Sequence, residues 1–372
     1  IKKTRSIDRG FCFIYCFIHC KYICGMVDYM IVGLGLAGTA FCENLRRNNK
    51  TFVVFNDRSQ TSSRVAGGLY NPIILKRFTL SWRADEQLPV ATEFYSGLEQ
   101  FLNVRFDEKL NVLRKFASIE EQNLWFEAAD KNKLKPFLDV TLAQNDNAAL
   151  NIPFQFGKVL QTGKLDTKFL FDSYEKWLSE NDKIYAQTFH YEQLKVEEDC
   201  VVYQNVKAKN IVFTEGYGMV CNPFFNYLPI QGSKGEYIVI KAKGLNEGNI
   251  IKSSIFLIPL GDDLYKVGAT YNREQKDNIT TEKAKNELIE KLNGLLKCNY
   301  TVVDHVAGMR PTVKDRRPLV GQHPKHKNLW VLNGFGSHGI TIAPWAAKSL
   351  YDRIETKAPL LAEMDIARFT ND

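Results

Sequence analysis

The 372 residues contain no Cys-x-x-Cys pair, no His-Glu-x-x-His, no Gly-x-Ser-x-Gly elbow and no Walker phosphate-loop lysine. With them go the signatures of zinc ribbons, dithiol redox sites, zinc proteases, α/β-hydrolases and P-loop nucleotide hydrolases. A run of one charge is also missing. The net charge of +7 and the pI near 8.8 come from Lys and Arg spread over many segments, which gives no sequence support for a nucleic-acid groove. The N-terminal apolar stretch is broken by His19 and Lys21 and is too short to span a bilayer, so no membrane span is expected. There is no internal repeat and no low-complexity linker.

Of eight cysteines, Cys42, Cys200, Cys221 and Cys298 lie far apart, which fits reduced thiols and a cytoplasmic location. Cys12, Cys16, Cys20 and Cys24 recur every fourth residue, so a helix would stack them on one face near His19; no metal site is assigned to them. The segment 1–25 places Lys2, Lys3, Arg5 and Arg9 before an apolar run, as a leader would, but lacks an initiating Met and stops at Met26. Residues 1–25 are therefore read as a non-native or disordered extension upstream of a start at Met26.

What is present is enough apolar residue, 45%, to build a sizeable core, and a length that suggests two interlocked domains. Asp28–Gly33 is an apolar run, Ala37–Arg47 an amphipathic helix and Thr51–Phe55 a β-rich run, which together make a βαβ unit. Leu88, Ala91, Phe94, Leu98, Phe101 and Leu102 fall at helical spacing and open a helix-rich stretch to about Leu150. A second helix is expected over Leu165–Trp177, then short strands ending at Glu215-Gly216. Strands at Tyr237–Lys241, Ile255–Ile258 and Tyr265–Thr270 suggest an antiparallel sheet, followed by a helix over Thr281–Leu296. Leu329–Leu332, a glycine-rich turn and a helix over Pro344–Ile354 close the chain. The expected fold is α/β with an α+β second domain: a Rossmann-like dinucleotide domain (26–90, 155–220, 300–372) interleaved with an antiparallel-sheet substrate domain (91–154, 221–299).

Gly33-Leu-Gly35-Leu-Ala37-Gly38 supplies the GxGxxG spacing between a strand and a helix. Gly33 permits the tight turn, Gly35 admits the pyrophosphate to the backbone, and Gly38 lets the helix pack on the strand. The free amides at the helix start face the phosphate charge. The ribose ligand should end the second strand, where Asn56 and Asp57 stand; either can serve.

Three further segments decide between cofactors. Ser62-Ser63-Arg-Val-Ala66-Gly67-Gly68-Leu-Tyr-Asn-Pro72, Ala307–Gly321 with Arg310 inside it, and Gly334-Phe-Gly336-Ser337-His338-Gly339-Ile340 through Pro344 resemble the D-amino-acid oxidase, glycine oxidase and sarcosine oxidase superfamily. With the first motif they cover roughly Asp28 to Ile354. The resemblance implies FAD, held noncovalently, with Ser62 and Ser63 near the pyrophosphate and Ala66-Gly67-Gly68 beside the isoalloxazine. Small residues suit the approach of backbone to a flat ring. Gly216, Gly334, Gly336, Ser337, His338, Gly339 and Ile340 complete the expected cofactor contacts. The turn before the last helix directs amides and helix dipole at the flavin, and His338 can add a positive charge there.

The same resemblance assigns Arg310 to the substrate carboxylate, for which a guanidinium fork is suited. Lys266 is similar in position to the lysine that sarcosine oxidases place over the flavin for oxygen activation, although strand alternation alone fits a solvent-facing residue equally well. Tyr271 follows as a pocket-lining residue. The implied chemistry is hydride transfer from a small amine or amino acid, or an N-substituted glycine, to FAD, with hydrolysis of the imine. Gly67–Tyr70, Gly268–Arg273 and Gly336–Gly339 look closer still to the oxidase domain of the bacterial enzyme that matures the aminomethyl group of tRNA wobble uridine. A tRNA substrate is thus the alternative, not favoured without a concentrated basic run. The sequence does not determine the oligomeric state.

Overall fold

The computed structural model describes residues 25–369. Cys12, Cys16, Cys20, Cys24, His19 and the upstream extension thus fall outside the described residues, Gly25 excepted.

Met26–Val32 is apolar except for Asp28, and Tyr29, Met30 and Ile31 in its second half are fully buried, as a strand covered on both faces requires. It pairs in parallel with Phe52–Phe55 on one side and Val206–Phe213 on the other. Ile184–Tyr185 extends the parallel sheet beyond Phe52–Phe55, and Leu329–Asn333 extends it beyond Val206–Phe213. Leu319–Gln322 closes that edge antiparallel. The first half of Val206–Phe213 also carries an antiparallel meander through Val201–Tyr203 to Leu194–Val196. Helices Leu36–Arg47, Ala84–Leu102, Thr167–Glu180 and Gly339–Thr356 cover one face and share a core with the sheet.

A second, seven-stranded sheet runs in the order Thr301–Arg310, Ser233–Lys241, Leu264–Gly268, Phe256–Gly261, Ile250–Lys252, Val112–Lys115, Phe156–Val159. Every neighbouring pair is antiparallel except Ile250–Lys252 with Val112–Lys115. Strand alternation gives it two characters. Ile238, Ile240, Leu257, Tyr265 and Val267 face back, where Leu288 and Leu292 of helix Glu282–Asn293 pack on them. Thr281 caps that helix, its Oγ1 accepting from the Ala284 amide at 3.3 Å. Tyr237, Phe256, Ile258 and Gly268 face forward, toward the nucleotide layer.

The mixed architecture expected from the sequence is what the chain adopts, but the expected domain boundaries shift. Thr301–Arg310 and Phe156–Val159 belong to the second sheet, not to the nucleotide layer as the limits at 300 and 155 imply. Helix Ala84–Leu102 packs on the nucleotide side against Gly339–Thr356 and Thr167–Glu180. The stretch up to 150 holds one further helix, Ile119–Ala129, together with strand Val112–Lys115. The reason is that pairing partners distant in sequence, such as Arg310 with Ser233, fix a strand's sheet, and local composition does not encode them.

The four described cysteines are free, two of them buried. Among the described residues no helix is long and apolar enough to cross a membrane, and no cluster of three or more His, Cys, Asp or Glu side chains could hold a metal ion.

Candidate active site

The nucleotide end is shaped by glycines that no other residue could replace. Gly33 adopts φ +94°, and a Cβ on it would lie 2.8 Å from the Thr214 carbonyl oxygen; a Cβ on Gly38 would lie 2.3 Å from the Gly33 carbonyl oxygen. Gly35 caps helix Leu36–Arg47 without a side chain, which leaves first-turn amides, Ala37 among them, for an anion. Ser63 closes over this turn: its Oγ accepts from the Leu36 amide at 3.4 Å and stands 3.0 Å from where a Cβ on Gly35 would be. Ser62 packs against Gly308 of the second sheet, so the segment Ser62–Gly68 is wedged between the two sheets. Gly68, at φ +70°, passes so close to Leu165 that a Cβ would be 2.0 Å from its carbonyl oxygen, and Gly67 faces Ile258 and Tyr237.

Asn56 and Asp57 follow strand Phe52–Phe55 and both line the cavity. Asn56 donates its amide to Glu175 at 3.2 Å. Asp57 accepts from the Ser59 amide at 2.9 Å and the Thr188 hydroxyl at 3.1 Å; burial works to raise its pKa, yet these bonds hold it below the usual carboxylate range. Glu215, unforeseen as a site residue, lies at the same end. Burial pushes its carboxyl up to about 7, opposed by hydrogen bonds from Asn222 and Tyr191 and reinforced by the charge of Asp57. Gly216 beside it has φ +55° and accepts from Asn333 Nδ2 at 2.9 Å.

At the far end Gly334 (φ +80°) and Gly336 (φ +56°) turn the chain into helix Gly339–Thr356. Gly336, Ser337, His338, Gly339 and Ile340 all line the cavity at the positive end of that helix. The His338 ring is open to the cavity yet encircled by protein. Although His338 is exposed to the cavity, the protein packed around it lowers its pKa from the ordinary histidine value, which disfavours the positive charge expected of it.

Arg310 ends its strand on the forward face. Its Nη1 donates to the Thr270 carbonyl at 3.3 Å, its Cζ lies 6.0 Å from the Tyr271 ring centre, and no carboxylate pairs with it among the described residues. Tyr271 is 57% exposed and stands between Arg310 and Arg273, whose Nε is 3.4 Å from its hydroxyl. Burial would raise the Tyr271 pKa, but hydrogen bonds to Arg273 and Ser233 and the charges of Arg273 and Arg316 lower it. Lys266 does not face solvent: its Nζ donates to the Ala66 carbonyl at 2.9 Å and lies 5.3 Å from the Tyr237 ring centre. Burial lowers it to about 8, against the opposing charges of Asp304 and Asp166.

One cavity of about 1220 Å³ joins these groups, from Asn56 and Asp57 through Gly33–Ala37 and Ala66–Gly68 to Gly334–Gly339, Tyr271 and Arg310. It exceeds the roughly 300–1,000 Å³ of ordinary small-ligand sites, as a dinucleotide plus substrate demands. The order of features fits FAD: a polar strand end at Asn56 and Asp57, a helix-start turn without a capping side chain, then a slot where added Cβ atoms would collide. Tyr237, Gly235, Phe256 and Lys252 also line it and were missed from sequence, where they read only as strand residues. Exposed Lys76, Arg273, Lys314 and Arg316 line it as well, drawn from three separate segments, while Asp57 and Glu215 are its only acidic lining residues among the described residues.

A family model described as FAD dependent oxidoreductase matches residues 28–353. Among curated proteins the chain is similar to a glycine oxidase of Pseudomonas putida, 28% identical over 142 residues, covering 36% of this chain and 38% of that protein. It is also similar to the tRNA 5-methylaminomethyl-2-thiouridine biosynthesis bifunctional protein of Azoarcus sp., 25% identical over 182 residues, covering 43% of this chain and 28% of that protein. The match thus spans well under half the length of these relatives. Among solved structures, glycine oxidase from Bacillus cereus superposes with a TM-score of 0.73 at 19% identity, covering 90% of this chain and 96% of the other. Iminodiacetate oxidase from Chelativorans sp. gives 0.73 at 16%, covering 92% and 98%. At these identities the likeness to solved structures shows the fold.

Proposed function

This chain belongs to the FAD-dependent oxidoreductase family, and we propose that within it the chain oxidises the C–N bond of a small α-amino acid or N-substituted glycine. The observation that carries this reading is Arg310: a guanidinium without a carboxylate partner, laid on the forward face of the sheet, in the same cavity as the phosphate turn. A planar fork in that place selects a carboxylate. Arg310 then fixes the α-carbon relative to the slot beside Ala66–Gly68, and positioning of this kind is the main protein contribution to such a reaction. FAD, when bound, would supply the two-electron acceptor for oxidation of the C–N bond to an imine, which water hydrolyses to a 2-oxo acid and ammonia, or to glyoxylate and an amine for an N-substituted glycine. Tyr271 covers the carboxylate side. Lys266 holds a proton at Nζ against the Ala66 carbonyl, next to the ring site. The amides of the Gly334–Gly339 turn face charge developing on that ring. The experiment is product analysis: a 2-oxo acid released in step with amine consumption supports the reading, and consumption without a 2-oxo acid contradicts it.

A second reading is favoured by the exposed cations Lys76, Arg273, Lys314 and Arg316 at the cavity's solvent edge, which form no ion pair with a carboxylate among the described residues. They suit a substrate whose amine is carried on tRNA, as the name of the bifunctional relatives implies for those proteins. Binding of tRNA that weakens steeply with salt supports this reading; no binding at low salt removes it.

A further inference from the structure

Lys252 is a half-buried cation lining the cavity that the proposed chemistry leaves unused. Its strand, Ile250–Lys252, places it directly opposite Phe256, which is itself opposite Gly268, which is opposite Tyr237. Facing residues of antiparallel strands share a face, so Lys252 stands on the same forward surface as Tyr237 and Arg310. Its Nζ leans back over the Phe256 ring, 4.4 Å from the ring centre. Its one hydrogen bond is long, 3.4 Å to the Ser254 carbonyl. No carboxylate among the described residues pairs with it. Burial and then the charges of Arg114 and Lys291 weigh against its ammonium, lowering it to about 8, while those two cations are themselves paired with Glu121 and Glu287. A half-buried ammonium among cations, with an aromatic face as its main support, is a site built for an anion that arrives from the cavity.

We propose that Lys252 binds a second anionic group of the substrate, so that the preferred amines carry a carboxylate for Arg310 and a further carboxylate or phosphate for Lys252. This deepens the amine-oxidation reading and rests on it. The Arg310 guanidinium lies over Gly235 and touches the Thr270 carbonyl, two residues past Gly268, so Lys252 stands two to three strands away, a lateral gap of roughly 10–15 Å. An anion bridging the two must therefore be longer than malonate.

The test uses the FAD-loaded full chain and ligands that cannot be oxidised, with binding read from perturbation of the flavin absorbance. Acetate is the single anion, malonate through adipate the dicarboxylate series, and 3-phosphonopropionate the phosphorus-bearing arm. The expected result is a preference for glutarate or adipate over acetate that Lys252→Met lowers at least tenfold, with acetate affinity within twofold of wild type. Lys252→Arg should retain the preference. In the wild-type protein it should fade as pH rises through about 8, a loss that a purely structural lysine would not produce. Whichever long-anion arm depends more on Lys252 identifies the group. Equal losses for acetate and the dianions, or no loss for any dianion, would overturn the proposal even if amines reduce the flavin. Failure of every anion to perturb the spectrum would overturn it as well. If Lys252→Met does not fold, Lys252→Gln answers the same question.

Discussion

The Arg310 guanidinium fills the space that a side chain on Gly235 would occupy: a Cβ there would stand 2.0 Å from Nη2 and 2.2 Å from Cζ. Gly235 lies opposite Gly308 on the neighbouring strand and gives the arginine a bare stretch of backbone to lie across. Gly235→Ala should therefore push Arg310 off its carbonyl contact. Overpacking of this kind costs about 1–3 kcal/mol, felt mainly at the flexible guanidinium. Carboxylate ligands should bind roughly 5- to 150-fold more weakly while FAD is retained, as a titration of the flavin spectrum would show.

Replacing Arg310 itself tests the carboxylate assignment. Arg310→Lys keeps a charge but loses the fork, and Arg310→Met loses both. Truncating one partner of a charged, hydrogen-bonded pair costs about 2–5 kcal/mol, roughly 30-fold to several thousand-fold in kcat/KM. Lysine should restore only part of that. A full rescue by lysine would mean that a point charge suffices and that bidentate binding is not used.

Lys252 should weaken the fold it serves. Its pKa falls from 10.5 in the unfolded chain to about 8 in the folded one, so below pH 8 the folded state holds a charge that burial disfavours. Lys252→Met should then be the more stable protein at pH 7, by about 1 kcal/mol. That advantage shrinks between pH 8 and pH 10.5, where the folded wild type sheds the proton and the unfolded chain keeps it. Thermal unfolding at pH 7 and pH 9.5 measures both; a variant less stable than wild type at pH 7 contradicts the account.

Glu215 works in the opposite sense. Its folded pKa is raised from 4.5 to about 7, so its contribution to stability is complete below pH 4.5 and is lost as pH rises through 7. The wild-type melting temperature should fall from pH 5 to pH 8 more steeply than that of Glu215→Gln. Parallel curves for the two would show that Glu215 does not titrate in that window.

The nucleotide end was legible because its chemistry is local. Gly33, Gly35 and Gly38 are read from spacing between two apolar runs, and the collisions a Cβ would meet at these positions explain that spacing. The helix after Gly334 and the forward sheet were legible as elements for the same reason. The substrate end was not, because it is made by register. Tyr237, Phe256 and Lys252 are ordinary strand residues until Gly268 is seen to align them in one row across four strands. The solvent-edge cations have the same history: Lys76, Arg273, Lys314 and Arg316 form no run in the sequence, and folding alone brings them to one cavity. His338 shows a further limit, since the protein packed around a histidine shifts its pKa in a way that motif position does not reveal.

The measurement that bears most directly on the central claim is the absorbance of the FAD-loaded protein during anaerobic addition of glycine, sarcosine, iminodiacetate and D- and L-amino acids, run in parallel on Arg310→Met. The account predicts that at least one of these amines bleaches the flavin band in the wild type, and that the variant, with its FAD still bound, bleaches at least 30-fold more slowly. A flavin that none of them reduces, or one reduced equally fast without Arg310, would contradict it.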